Sequence, residues 1–273
     1  MHAFLRPAIR WFAVLAVTVP VISHGADAAA EGREIMERCN IKYPGEDQRS
    51  RLTIVLRDKD GNEKKNVYRR LWKDFRGAGS VADKMMLFTE FPPDAQGAGF
   101  MRWGYTAASE RTADQWVYLP VLKKIRRVSI RDPGDSFLGS DLTYADIGDR
   151  SLDADLHRLV RTMPNGNDQI YAVESLPVNK SSALYSKTIS WFTKGQDWDG
   201  CMKRQIDYYD KKGEPIKQQI IKWQRVGKAW VWDEVTVRNV QTGHSSVFQV
   251  TDVKVNVGLS DDEFTERALM TGQ

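Results

Sequence analysis

Large apolar residues recur at every second position in one run after another, and clusters of Gly, Pro, Asn and Asp separate the runs. That period commits each run to a strand with one buried face, because successive side chains of a strand point to opposite sides. Leu52, Ile54 and Leu56 alternate with Arg51, Thr53 and Arg57. Asp58-Lys59-Asp60-Gly61-Asn62 then turns the chain, with Gly61 supplying the positive φ of a tight hairpin, and the return strand runs over residues 65–75. Strands are predicted over 84–91, stopped by Pro92-Pro93, and over 100–105. Tyr185, Lys187, Ile189 and Trp191 mark another. Hairpins follow at 157–162 with 169–175, at 202–209 with 216–226 and at 230–240 with 246–257. About a dozen strands with no long helices between them predict an all-β chain, a single strongly curved antiparallel sheet with minor helices. One helix is expected over 30–40, and a second opens at a capping box of Ser260 and Glu263 and carries Phe264, Ala268 and Leu269. Internal repeats, low-complexity tracts and interdomain linkers are not evident, so a single domain is expected.

The N-terminus has another character. Arg6 and Arg10 form a basic region, residues 11–22 an apolar run of twelve, and Ala26-Asp27-Ala28 a small-x-small cleavage site. Twelve residues fall short of the roughly 20 that span a bilayer. The segment therefore reads as a cleaved secretory signal over 1–28, followed by one domain over 29–273. An uncleaved membrane anchor is the alternative. No cysteine follows the apolar run closely, so lipid attachment there is not expected.

Export places the two cysteines, Cys39 and Cys201, in an oxidising compartment that permits a disulfide. Two separate buried thiols are the other reading, since Cys39 lies at helical spacing from Ile35 and Met36 on an apolar face. The net charge of +4 is too small an excess for nucleic-acid binding. His157 and His244 lie in separate hairpins without partners at metal-ligand spacing, so no metal is expected. Seven aspartates (Asp132, Asp135, Asp141, Asp146, Asp149, Asp153, Asp155) crowd 24 residues. They fit no calcium loop, and turn formation explains them more simply. Cofactor fingerprints and nucleophile motifs are absent, and Cys201 has no evident base, so an enzyme is not expected.

Residues 116–120 and 123–128 form an alternating pair that reads as a tight hairpin about Pro120-Val121. The stretch after it, residues 136–147, mixes aromatics, Gly139, Ser140 and aspartates, and suits an ordered loop with a function. Phe137 and Leu138 precede Gly139, which permits a sharp turn, and Asp141 is expected to hold the loop by accepting nearby backbone N–H groups. Tyr144 is expected beside Leu138 with its hydroxyl on a polar partner. The loop reads either as a gate at a barrel mouth, with Phe137 and Leu138 touching cargo, or as a structural corner. The eight tryptophans beyond residue 28 are either core or the lining of a hollow that the curved sheet leaves unfilled.

Trp-Val-Tyr-Leu-Pro at 116–120, Lys-Lys-Ile-Arg-Arg at 123–127 and Phe-Leu-Gly-Ser-Asp-Leu-Thr-Tyr-Ala-Asp-Ile at 137–147 resemble the signature of LolA-like outer-membrane lipoprotein-sorting proteins. The closer likeness is to the branch found beside RND/MMPL-type exporters. The resemblance implies a half-open antiparallel barrel of roughly eleven strands with helices over its concave face. It also implies a soluble, non-enzymatic periplasmic carrier of a Gram-negative bacterium. Such a carrier works as a monomer, binds lipid or lipoprotein acyl chains, and passes them from an inner-membrane exporter toward an outer-membrane acceptor. The alternative is a protein-interaction or envelope-sensing module of the same fold. Trp116, Tyr118, Ile125, Phe137, Leu138 and Tyr144 are expected to line the hollow and bind the ligand, although a one-residue register slip would reverse the face. N-terminal sequencing of the exported protein should begin near Ala29, and Met1 retained in a membrane fraction would overturn the cleaved-signal reading.

Overall fold

The computed structural model describes residues 24–40, 42–109, 111–128, 134–148, 150–198 and 200–272. The basic and apolar N-terminal run, and Asp132 and Asp149, lie outside them. Helix α1 (His24–Asn40) opens six residues before the expected start at 30 and runs through the expected cleavage site. Six strands follow: β1 (Asp47–Arg57), β2 (Glu63–Asp74), β3 (Val81–Phe91), β4 (Gly99–Tyr105), β5 (Asp114–Leu119) and β6 (Lys124–Arg127). After a long connection come β7 (Asp155–Asn165), β8 (Asp168–Pro177), β9 (Lys187–Lys194), β10 (Met202–Tyr209), β11 (Pro215–Val226), β12 (Ala229–Asn239) and β13 (Ser245–Val255).

All thirteen strands join in one sheet, in the order β6-β5-β4-β3-β2-β1-β13-β12-β11-β10-β9-β8-β7. Neighbouring strands are antiparallel throughout, so two meanders are sealed where β1 pairs with β13. The sheet does not close, and β6 and β7 form its edges. The expected hairpins are all present, including Trp116↔Arg127 to Leu119↔Lys124 between β5 and β6. At the C-terminus the capping box forms, but it caps a 3₁₀ turn, Asp261–Phe264, rather than the expected helix. Thr265 then caps a separate helix, α2 (Glu266–Thr271). Extended φ/ψ at Thr265 breaks the two apart, which lets Phe264 and Leu269 both turn inward.

Register assigns the faces. Leu52, Ile54, Leu87, Phe100, Ile221, Val235, Val237 and Phe248 share one buried cluster. Strands β4 and β11 stand six places apart in the sheet, so their side chains can meet only if the sheet curls toward this face. It is the concave face of a half-open barrel. Pairing carries the same face outward through Tyr208↔Thr188 and Ser190↔Val173 to the other edge. There Val173 and Phe192 meet Ile35, Met36 and Cys39 of α1. The opposite, convex face of β2–β5 is apolar as well, and Leu259, Phe264, Ala268 and Leu269 cover it. No helix among the described residues is long and apolar enough to cross a membrane.

Cys39 and Cys201 are bridged across 162 residues, which ties the end of α1 to the start of β10. The helix thus keeps its place on the concave face even where its packing is modest. A Cys39→Ser/Cys201→Ser variant should lose about 2–5 kcal/mol in a urea titration under non-reducing conditions. An unchanged midpoint would show that α1 is held by packing alone.

Candidate functional site

The concave face carries a second cover besides α1. Residues 135–148 leave the sheet edge and fold back onto β11–β13 and β1–β5. The segment is a closed loop of its own. Ser136 bridges Thr143, the Phe137 N–H donates to the Leu142 carbonyl at 2.7 Å, and the Tyr144 N–H donates to the Asp135 carbonyl at 3.0 Å. Its tip reverses through two left-handed residues, Leu138 at φ 52° and Gly139 at φ 79°. Gly139 takes that conformation freely, whereas Leu138 does so at a cost of about 1–2 kcal/mol. The apolar side of the loop offsets it. Phe137 is 3% exposed and sits edge-on to Phe100 at 5.2 Å and to Tyr144 at 5.7 Å. Leu142 is fully enclosed beside it.

Two aspartates fasten this plug to the sheet. Asp141 accepts hydrogen bonds from Ser246 Oγ at 2.5 Å and from His244 Nδ1 at 2.8 Å, both at the start of β13. Asp146 accepts from the Thr143 N–H at 2.7 Å, from the Tyr185 hydroxyl at 3.0 Å and from Lys217 Nζ at 2.5 Å. Lys217 also donates to the Asp141 carbonyl at 2.9 Å. The Lys217 and Asp146 side chains are each only 4% exposed. Burial, and then the Asp146 charge beside it, push the Tyr185 hydroxyl well above the usual phenol range. The rings of Tyr185 and Tyr208 lie 5.1 and 4.8 Å from Lys217 Nζ. The cation therefore sits between a carboxylate and two aromatic faces.

Further along the face, beneath residues 144–148, lies a second polar group. Arg102 pairs with Asp83 at 2.6 Å, and Gln115, its partner across β4 and β5, donates to the Tyr144 carbonyl at 3.4 Å. Among the described residues, Arg102 Nε and Gln115 Oε1 are buried without a hydrogen-bond partner. Burial lowers Arg70, which donates to Gln48 and Ser50, to about 10. Toward α1, burial lowers Lys203 to about 8, and its ammonium lies 5.6 Å from the Phe192 ring.

The residues expected to line one hollow are divided between the two faces. Phe137, Leu138 and Tyr144 belong to the concave cluster. Trp116, Tyr118 and Ile125 point to the convex face and pack with Met101, Trp103 and the C-terminal cover. Val117, between Trp116 and Tyr118, is the β5 residue that faces Phe100. The expectation was therefore one residue out of step along β5. Phe137 is a core side chain rather than an open lining. Asp141 holds the loop through two side chains of β13 rather than through neighbouring backbone N–H groups, and Asp146 supplies the local N–H contact instead. Tyr144 and Leu138 both pack against the same concave cluster. Of the remaining described aspartates, Asp153 pairs with Arg33 and Asp155 with Arg150. No cluster of three or more His, Cys, Asp or Glu suited to a metal occurs among the described residues. Sequence reasoning missed Lys217, Tyr185 and Ser246. Their only signal was alternation along the strand, which puts Lys217 on the same face as Ile221.

A groove of about 350 Å³ also opens on the convex face, where Arg51 and Glu90 form an ion pair beside Val67 and Phe91. Its charged wall suits an acyl chain poorly.

Comparison with known proteins places this geometry. A protein-family model described as "Uncharacterized protein" matches residues 81–271. No curated protein matches by sequence. A DUF1329 family protein from Desulfovibrio piger superposes with a TM-score of 0.79 at 24% identity, over 89% of this chain and 99% of that one. A Vibrio parahaemolyticus domain described as outer-membrane lipoprotein-sorting gives 0.75 at 22% identity, with the same coverage. A LolA superfamily protein from Nitrosomonas europaea gives 0.62 at 17% identity, over 87% of this chain and 98% of that one. At these identities the likeness is one of fold.

Removing the Asp146 carboxylate leaves Lys217 buried and unpaired, so Asp146→Ala should destabilise the protein by about 3–5 kcal/mol in urea. Asp146→Leu combined with Lys217→Met should recover most of that loss. Phe137→Ser should also lose about 3–5 kcal/mol, as a truncated core aromatic does. A loss under about 1 kcal/mol for Asp146→Ala would show that the ion pair does not hold the plug.

Proposed function

Because the chain belongs to the family whose model matches residues 81–271 and has the LolA-like fold, we propose that it is an exported carrier of acyl chains. In this reading it is a monomeric periplasmic protein without catalytic activity, comprising one domain over 29–273. It shelters a lipid or lipoprotein acyl chain on its concave face between an RND/MMPL-type exporter and an outer-membrane acceptor. One observation carries the proposal. The concave face carries one apolar cluster spread across β1–β5 and β11–β13, yet no second sheet covers it among the described residues. Its covers are a helix tied at one end and a loop held by two carboxylates. Covers of this kind can lift without breaking any strand pairing, and lifting the plug exposes Phe100, Leu87 and Val235 to a chain of similar girth. Phe137, Leu138 and Leu142 then act as a surrogate cargo that fills the hollow until the ligand replaces them.

The filled hollow also favours a second reading, an interaction or envelope-sensing module that never opens. A lipid extract of natively purified protein separates the two, since a carrier retains acyl lipid and a closed module does not. A fluorescent fatty-acyl probe should bind saturably, and Leu138→Ser, by weakening the surrogate it belongs to, should raise that binding with little change in melting. Asp141→Ala loosens the latch by about 1 kcal/mol, which should raise the open population and probe uptake about fivefold. Saturable binding by no acyl probe, before or after this substitution, would overturn the carrier reading.

A further inference from the structure

Antiparallel order brings the ends of β1, β3, β5, β8, β10 and β12 to one rim of the half-barrel, with the starts of the other strands. Twelve large apolar side chains stand exposed among the described residues, and seven of them lie at this rim, including Val121, Leu122, Val178 and Val240. The β5–β6 tip is the extreme case. Pro120, Val121 and Leu122 form its 3₁₀ turn, with Val121 89% and Leu122 57% exposed. Turn positions ordinarily favour Gly, Asn or Asp, so valine and leucine there serve neither the turn nor the core. Lys123, Lys124, Arg126 and Arg127 follow directly, and residues 115–128 include no acid. Among these cations only Arg127 has an ion pair with a described residue, Asp114 at the far end of β5.

We propose that this rim, led by Val121 and Leu122, docks on an anionic phospholipid surface. An apolar wedge followed by long flexible cations is the pattern of a segment seated at a bilayer interface. The wedge enters the acyl boundary, while the lysine stems lie along it and carry their ammonium groups to the phosphates. Unpaired positive charge at the tip selects an anionic bilayer over a neutral apolar partner. The same rim carries the plug's anchors: Lys217 at the start of β11, His244 and Ser246 at that of β13, and Tyr185 just before β9. Docking therefore presents the latched mouth to the membrane. The inference rests on the rim alone and stands independently of the carrier reading.

The test is cosedimentation of the exported protein with vesicles of phosphatidylethanolamine containing or lacking phosphatidylglycerol, without an acyl probe. Binding to the anionic vesicles should exceed binding to the others, and Val121→Asp/Leu122→Asp should lower it about tenfold or more. Lys123→Glu/Lys124→Glu should lower it by a similar factor and flatten its salt dependence. These side chains touch little else, so circular dichroism and melting should be unchanged in both. Absence of binding by the parent protein, including the case of a rim made for a protein partner, overturns the proposal. So does binding that both pairs of substitutions leave intact. Lost vesicle binding with normal acyl-probe uptake bears on docking alone, whereas the reverse bears on the carrier reading alone.

Discussion

A single sheet has two faces to keep from water, and in this chain the curl of the sheet handles only part of one. Thirteen strands with two free edges bend until β4 and β11 share a core, yet the hollow between them is too wide for strand side chains alone to fill. Everything outside the sheet follows from that constraint. Helix α1 closes the concave face over β7–β10, residues 135–148 close it elsewhere, and the C-terminal turn and α2 take the apolar patch on the convex side.

The two concave covers are held by different physics. The end of α1 is tied covalently, so its position does not depend on pH or on a few side-chain contacts. The plug is seated by apolar burial of Phe137 and Leu142 and aligned by the buried carboxylates of Asp141 and Asp146. A buried ion pair adds little net stability over an apolar pair, but it tolerates few alternative arrangements. Lys217 meeting Asp146 and the Asp141 carbonyl therefore sets where the plug sits more than how tightly. The left-handed backbone at Leu138 adds strain that only the seated state supports. A cover aligned in this way has a defined closed state while remaining the part of the face that can separate from the sheet as a unit.

Much of the architecture was legible in the sequence because strand periodicity and turn chemistry are local. Gly61, Gly166 and Gly213 all stand at positive φ in the turns where hairpins were expected. The broken C-terminal helix was less legible, since a capping box is satisfied equally by one 3₁₀ turn or by the start of a long helix. The candidate site was legible only in outline. Residues 136–147 stood out by composition, but the side chains that Asp141 and Asp146 meet outside the loop lie between 39 and 105 residues away, beyond any spacing rule.

The alternation along β5 made Trp116, Tyr118 and Val117 strand residues on opposite faces, and that much the chain determines by itself. Which face is concave was decided by the curl of the whole sheet. Both faces of β5 are apolar, so no hydrophobic pattern distinguishes them, and the answer depends on strands as distant as β11. The cysteines show the same division. The sequence supplied a thiol on an apolar helix face and the expectation of a compartment that permits oxidation. The pairing of Cys39 with Cys201 came only when the pleat of β10 turned Cys201 toward the face on which α1 lies.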